Sequence, residues 1–140
     1  MKIFPFDGER VLLARLDRGD DLLASLQALC ETERVEAGVI QAIGAVECAV
    51  VGFYDQDAGH YRELIFDEGL EIANLVANVS SKDGAPFVHA HVTLAFGDGR
   101  CVGGHLMPGT RVFACEIHLR AFGGAPPVRE PDGATGLMLW

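Results

Sequence analysis

Basic residues are scarce in this chain. Lysine and arginine together number 11 against 20 aspartates and glutamates, so the formal net charge is −9. The basic residues are also scattered and form no long run. Because nucleic-acid binding depends on clustered lysine and arginine, the composition argues against direct binding to DNA or RNA. An acidic, solvated surface is the simpler interpretation.

Long apolar segments are missing as well. No stretch approaches the roughly 18 consecutive apolar residues of a membrane-spanning helix. Asp7, Glu9 and Arg10 stand where a secretory signal would need apolar residues. We therefore expect a cytoplasmic protein without a membrane partner.

The 4 cysteines have neither metal-binding nor disulfide spacing. Cys30, Cys48, Cys101 and Cys115 are far apart, and no C-x-x-C pair occurs. Isolated free cysteines are often buried, and thiols persist in reducing compartments. The spacing therefore predicts core thiols rather than a disulfide framework.

The chain does contain the residues for a hydrophobic core. With 140 residues, 49% of them hydrophobic, it has the size of a single domain, 1–140. A domain of that size buries roughly 68% of its unfolded surface, so folding requires neither a disulfide nor a metal. The 17 glycines indicate many turns and a strand-rich fold.

One segment has the periodicity of a helix. Leu22, Leu23, Leu26 and Leu29 form an apolar stripe at helical spacing. Asp20 precedes the stripe and is suited to cap the first turn. The pattern predicts a helix over residues 20–33 whose stripe packs into the core.

The remaining segments have strand patterns separated by short turns. We predict strands over residues 9–17, 35–54 (two strands or one bent strand), 60–66, 70–80, 86–96, 100–106 and 110–122. About seven mainly antiparallel strands and one main helix define an α+β fold. We expect the C-terminal tail, 123–140, to be extended, with its apolar end packed on its own sheet or on a neighbouring subunit.

Three of the 5 histidines fall in one glycine-rich stretch, VHAHVTLAFGDGRCVGGHL. His89 and His91 share one face of a strand because they are two residues apart. The turn decides where His105 lies. A two-residue turn, 98–99, would put it on the other face, whereas a three-residue loop, 97–99, puts it opposite His91.

The apolar pattern selects the three-residue loop. That register separates apolar residues from histidines, whereas a slip of one residue would mix the two faces. The apolar face comprises Ala90, Val92, Leu94, Phe96, Val102 and Leu106. The other face comprises His89, His91, Thr93, Cys101, Gly103 and His105.

Three imidazoles then meet on one side of the hairpin. Three histidines with an open fourth position are typical of a reactive metal centre rather than a closed structural one. Zn²⁺ is the first choice, and imidazole also suits Fe, Ni and Cu. Gly103, which has no side chain, would leave space beside the ion.

A reactive metal centre also needs a carboxylate as general base. Glu71 and Glu116 lie in predicted strands, but the strand order needed to bring either to the histidines is not readable from the sequence. Both are better explained as rim or interface charges. Together with Asn78, Gly103 and Gly104 they are our candidates for a pocket or interface, and no catalytic residue is assigned.

The same residues resemble a known family. H-x-H, an acid-Gly turn, V-GGHL-x-x-G and V-x-x-x-E resemble the PPC domain (plants and prokaryotes conserved, also called DUF296) of the bacterial single-domain type. The segments AGVIQAIGAVECAVVGFYD, LEIANLVANVS and TGLMLW resemble further parts of that family, with Ala77 where its members usually have Gly. The resemblance covers about residues 8–140.

The resemblance implies a homotrimer of α+β subunits, each with a mainly antiparallel sheet packed against a helix. It also implies a metal on His89, His91 and His105, as in prokaryotic members, and a partner surface for the apolar tail. Plant members follow AT-hook segments and take part in DNA-associated assemblies. This chain has no R-G-R-P hook and no basic arm.

Three functions are compatible with these observations. The first is a trimeric metal-binding protein with a small-molecule or protein ligand at the histidines, and whether it catalyses a reaction is open. The second is a DNA-associated regulatory or protein-interaction module without catalysis. The third is a cupin-like metalloenzyme, although cupins usually place a glutamate where this chain has Leu94 or Ala95.

Overall fold

The computed structural model describes residues 8–140, so residues 1–7, including Asp7 of the N-terminal pattern, lie outside the described part. The elements follow in chain order as β1 (Glu9–Leu16), α1 (Leu22–Thr32), β2 (Gly38–Asp55), β3 (His60–Phe66), β4 (Leu70–Lys82), β5 (Ala85–Ala95), β6 (Cys101–Leu106), β7 (Arg111–Phe122), β8 (Glu130–Pro131) and β9 (Met138–Leu139).

Seven strands form one sheet in the order β1-β7-β2-β4-β5-β6, with β3 paired to β2. Every pairing within this sheet is antiparallel. The predicted α+β fold, a mainly antiparallel sheet packed with one main helix, is confirmed. The short strands β8 and β9 pair separately in the C-terminal tail.

Strand β2 is long enough to serve both ends of the sheet. The segment predicted as two strands or one bent strand is a single strand of 18 residues. It bends at Gly44, where φ is 145° and an added Cβ would lie 2.1 Å from the carbonyl oxygen of Ala114. Its first half pairs with β4 and β7 and its second half with β3 and β6. The sheet therefore curls back on itself and brings β6 against β2.

Helix α1 packs on the core side of the sheet, but its cap differs from the prediction. The N-cap is Asp21 rather than Asp20, since the Asp21 carboxylate accepts a hydrogen bond of 2.9 Å from the backbone N–H of Ala24. Asp20 instead accepts one from the backbone N–H of Asp17. The buried helix residues are Leu22, Leu26 and Cys30, with Leu23 and Leu29 at the margin of the core.

The same helix satisfies backbone groups at the start of β5, next to His89. The Gln27 side chain donates a hydrogen bond to the carbonyl of Pro86 and accepts one of 3.1 Å from the N–H of Val88. These bonds occupy positions that β6 does not reach, because β6 pairs only with the later part of β5. No helix among residues 8–140 has the length and apolar character needed to cross a membrane.

The outer face of the sheet, meaning the face turned away from the core, keeps apolar side chains in solvent. Its exposed apolar residues include Val11, Leu13, Ile43 and Val76, which are between 47% and 82% exposed. One row of directly paired residues crosses this face, through Leu13, His118, Gln41, Val76, His91 and His105. The histidines of the hairpin thus lie at one end of an otherwise partly apolar surface.

The prediction of four core thiols is only partly right. Cys30 and Cys115 are buried, whereas Cys48 is half-buried and Cys101 is exposed. Cys101 is exposed because it belongs to the outer-face residues of β6, the same alternation that turns His105 away from the core.

Candidate metal centre

The hairpin of β5 and β6 has the predicted register. A backbone hydrogen bond of 2.9 Å closes a three-residue loop, 97–99. Gly99 has a φ of 84°, the left-handed conformation that this type of bulged loop requires. His91 consequently pairs directly with His105.

Two adjacent glycines set the position of β6 between its neighbours. A Cβ on Gly103 would lie 2.5 Å from the carbonyl oxygen of Val92 in β5, and one on Gly104 would lie 2.7 Å from that of Gly52 in β2. Both contacts are with backbone, so any larger residue would push β6 away from a partner strand. Gly103 therefore permits close strand packing, which differs from the predicted role of leaving space beside an ion.

Three imidazoles form one group on the outer face, the histidine cluster (His89, His91 and His105). The ring centroids are 5.2 Å apart for His89 and His91, 5.0 Å for His89 and His105, and 5.4 Å for His91 and His105. One nitrogen from each ring lies within 4.8 Å of those of the other two. The rings are near enough to converge on a single ion.

The surroundings of the cluster favour uncharged imidazoles. Burial, reinforced by the nearby His105, Arg129 and His91, lowers the pKa of His89 to about 4. Burial also lowers the pKa of His105, with further contributions from His91 and Arg129. Both rings are neutral at pH 7, and neutral imidazole is the form that binds metal.

His105 also has an unsatisfied polar atom. Its Nδ1 is the single buried side-chain nitrogen or oxygen among residues 8–140 that has no hydrogen-bond partner. The His105 ring also contacts an aromatic ring, that of Tyr61, with the two ring centroids 4.9 Å apart. Buried polar atoms nearly always have a partner, and a metal ion is a partner suited to an imidazole nitrogen. The donor set therefore fits a divalent metal ion.

The structure brings some of the other predicted residues to the cluster and not others. Asn78 lies directly opposite His89 on the neighbouring strand β4. Glu71 pairs with Ala95 at the far end of β5 and lines a different groove. Glu116 lies on β7, with β2 and β4 between it and β5. Neither predicted glutamate is placed to act as a base at the histidines.

Arg129 is a site residue that our sequence reasoning missed. Its side chain is 7% exposed and is close enough to lower the pKa of His89 and of His105. Its backbone N–H donates a hydrogen bond of 2.8 Å to the carbonyl of Ser81 at the end of β4. The available signal was that Arg129, in the segment PPVREP, is the single basic residue of the tail, 123–140.

The apolar end of the tail packs on its own subunit. Leu137, Met138 and Leu139 line a cavity together with residues of the histidine cluster. The Tyr54 hydroxyl donates a hydrogen bond of 3.2 Å to the carbonyl of Thr135. Its own chain is therefore one surface that this segment contacts.

Fold and site together define a small α+β protein that carries three clustered histidines on the outside of an antiparallel sheet. The model of the Plants and Prokaryotes Conserved (PCC) domain matches residues 5–123. The chain belongs to this family, and the resemblance to the PPC domain is thereby confirmed.

Solved structures agree with this assignment. A metal-containing protein from Archaeoglobus fulgidus is 44% identical with a TM-score of 0.95, covering 100% of this chain and 99% of that chain. A plant- and prokaryote-conserved protein from Pyrococcus horikoshii is 35% identical with a TM-score of 0.93, covering 100% and 96%. A protein from Ralstonia eutropha, provisionally described as DNA-binding, is 26% identical with a TM-score of 0.81, covering 91% and 88%.

Similarity also extends to part of a larger protein. The bifunctional protein GlmU of a Synechococcus strain is 34% identical over 99% of this chain. The chain spans about a fifth of the length of that relative, 20%. The matched region is thus a domain-sized part of GlmU.

The lowered pKa of His89 predicts an acid-sensitive site in metal-free protein. Its pKa is 6.5 when unperturbed and about 4 in the fold, so between these pH values the unfolded chain binds more protons than the folded one. The free energy of unfolding should therefore fall as pH drops from about 6.5 to about 4. Urea unfolding of chelator-treated protein across this range should show a shallower decline in His89→Gln than in wild type.

The control for this experiment is His60→Gln, which removes an exposed histidine outside the cluster. It should keep the wild-type pH profile. Equal slopes for wild type and His89→Gln would show that His89 does not titrate as its burial requires.

Proposed function

We propose that this protein binds one divalent metal ion per chain through His89, His91 and His105 and presents it to a small ligand. The observation that carries the proposal is the convergence of three ring nitrogens within 4.8 Å of one another beside a buried, unpartnered His105 Nδ1. The Archaeoglobus fulgidus protein described as metal-containing, 44% identical to this chain, adds support.

Zinc is the metal we propose first. Imidazole is a ligand for Zn²⁺, and a set of three histidines leaves a fourth coordination position for water or a ligand. Iron and nickel are the alternatives, because imidazole suits them as well. A bound ion would supply Lewis acidity to its ligand or lower the pKa of a bound water.

We leave the protein unassigned as an enzyme. His89, His91 and His105 would hold the ion, but Glu71 and Glu116 lie elsewhere on the sheet. A binding role needs no general base, so it accords with the site better than a hydrolytic one. The four cysteines are free thiols, which supports our proposal of a reducing, cytoplasmic compartment.

We further propose that the protein assembles as a homotrimer through the outer face of its sheet. Val11, Leu13, Ile43 and Val76 expose apolar surface there, and clustered exposed apolar residues commonly mark interaction surfaces. The trimer implied by the family resemblance would bury these side chains.

A DNA-associated role is the second candidate. The Ralstonia eutropha relative, provisionally described as DNA-binding, is 26% identical over most of this chain. The net charge of −9 opposes direct binding. Fluorescence anisotropy with a labelled duplex at low salt separates the candidates, because salt-dependent binding would favour the DNA-associated role and its absence would oppose it.

The cupin-like alternative is not favoured by the family match or by the sequence. The family match covers residues 5–123 of the chain, and the two residues where a cupin usually has its glutamate are Leu94 and Ala95. The chain therefore lacks the glutamate that a cupin-like centre would use.

Metal content measured by plasma mass spectrometry tests the first proposal. Untagged wild-type protein should retain close to one equivalent of metal per chain. His91→Ala and His105→Ala should each lose it, because removing one of three protein ligands weakens affinity by at least about tenfold. The matched control is His118→Ala, which removes a histidine of the outer face that lies outside the cluster.

Two results would contradict the metal proposal. One is a lack of metal in wild-type protein even after incubation with zinc. The other is full metal retention in both cluster variants.

Light scattering after size-exclusion chromatography tests the trimer. Wild-type protein should have three times the chain mass of 15.0 kDa. Leu13→Asp should be monomeric, because burying an unpaired carboxylate costs several kcal/mol, while the 82% exposure of Leu13 leaves the monomer fold unaffected. Ile65→Asp, the same kind of change at a 69% exposed position of β3, serves as control. A wild-type monomer, or a trimer that survives Leu13→Asp, would refute this interface.

A further inference from the structure

A cavity adjoins the histidine cluster. It has a volume of about 450 Å³ and is lined by His89, His105 and Arg129. Aromatic and apolar side chains form most of its remaining wall, among them Tyr54, Tyr61, Phe87, Leu137, Met138 and Leu139. This volume lies within the range of small-molecule sites, and the wall suits a ligand with an apolar body.

The charge of this cavity is opposite to that of the protein. Lys82 and Arg129 line it, and no aspartate or glutamate among residues 8–140 does so. A smaller cavity that shares His89 and Arg129 is also lined by Asn78, Leu139 and Trp140, and no aspartate or glutamate among residues 8–140 lines it. In a chain of net charge −9, a cation-lined cavity without acidic groups is unexpected from composition alone.

Arg129 is the centre of this positive charge. Its guanidinium donates hydrogen bonds to Ser80 Oγ at 2.7 Å and to the carbonyl of Met138 at 2.8 Å, and it stacks 4.9 Å above the Phe87 ring. These three contacts fix the position of the guanidinium, but none of the three partners carries a charge. None of the ion pairs among residues 8–140 includes Arg129.

A buried cation without a carboxylate is costly. Removing a guanidinium from water has a penalty of several kcal/mol that is offset only by a paired charge and further hydrogen bonds. Arg129 uses Nε and one terminal nitrogen in the bonds to Ser80 and Met138. No hydrogen bond of the second terminal nitrogen, Nη2, is seen within residues 8–140, and Arg129 lines the cavity.

We propose that Arg129 binds the carboxylate of a small organic acid, held in this cavity with its carboxylate towards the histidine cluster. The inference rests on the proposed metal-binding function, because a divalent ion on the histidines would add positive charge on the same side. Arginine suits this role through its fixed fork of N–H donors, which matches a carboxylate. The apolar wall favours an organic acid over inorganic phosphate.

A purely structural role for Arg129 is the competing explanation. The side chain joins Ser80 of β4 to Met138 of the tail, and this link alone could justify its burial. Such a role would not distinguish a charged ligand from a neutral one of the same shape. Benzoate and benzamide are such a pair, with an aromatic body suited to the cavity wall.

Calorimetry and ligand-observed NMR with benzoate, benzamide and inorganic phosphate test the proposal on zinc-incubated and chelator-treated protein. Wild type should bind benzoate at least about tenfold more tightly than benzamide, the factor expected for a hydrogen bond to a charged group. Arg129→Met should abolish this preference, and Arg129→Lys should retain part of it. Arg62→Met, which removes an exposed arginine stacked on Phe53, should behave as wild type.

Several outcomes would overturn the proposal. Equal affinity of wild type for benzoate and benzamide, or unchanged benzoate binding in Arg129→Met, would leave Arg129 a structural residue. Tighter binding of phosphate than of benzoate would show that the site is not specific for a carboxylate. If Arg129→Met does not fold, Arg129→Lys and the comparison of the two ligands on chelator-treated wild type still decide.

Zinc content measured on the same samples separates this inference from the proposed metal site. Arg129→Met should keep the zinc of wild type while losing benzoate. Wild-type protein that takes up no zinc on incubation, yet prefers benzoate through Arg129, would support the anion site and refute the metal centre. Zinc-loaded protein that binds benzoate and benzamide equally would support the metal centre and refute the anion site.

Discussion

The close approach of β6 to the backbones of β5 and β2 is the constraint on which the site depends. Gly103 and Gly104 permit it, since a Cβ at either position would lie within 2.7 Å of a neighbouring carbonyl oxygen. The second half of β2, beyond the irregularity in its pairing with β4 at Gly44, supplies the other partner strand of β6. With β6 held on both sides its register cannot slip, and a slip of one residue would turn His105 into the core. The geometry of the histidine cluster thus originates in backbone packing.

Burial by the tail gives the site its chemical character. The tail lines a cavity together with His89 and His105 and places a nearly buried Arg129 beside these two histidines. Withdrawal from water lowers the pKa of both histidines, and the guanidinium makes no ion pair among residues 8–140. Neutral imidazoles are ligands for a metal ion, and the Arg129 guanidinium is a partner for an organic anion. The two ligands together would complete the site.

Local patterns in the sequence predicted the elements and the hairpin because alternation and turn chemistry act over a few residues. The apolar residues that alternate with the histidines favoured the three-residue loop. The observed pairing of His91 with His105 confirms that prediction. The positions of Glu71 and Glu116 depended on strand order, which alternation does not encode. Arg129 lay beyond such reasoning because it reaches the site through a non-local pairing of the tail with Ser81. The capping error at Asp20 reflects the usual uncertainty of helix ends between neighbouring candidate residues.

X-ray absorption spectroscopy at the zinc edge of the reconstituted protein tests the histidine centre most directly. We expect scattering from three imidazole rings with Zn–N distances of about 2.0–2.1 Å and one further light ligand. Cys101, exposed on the same face of β6, provides an internal alternative, since a thiolate ligand would scatter at about 2.3 Å. A sulfur shell, or a spectrum without imidazole scattering, would contradict a centre built from His89, His91 and His105.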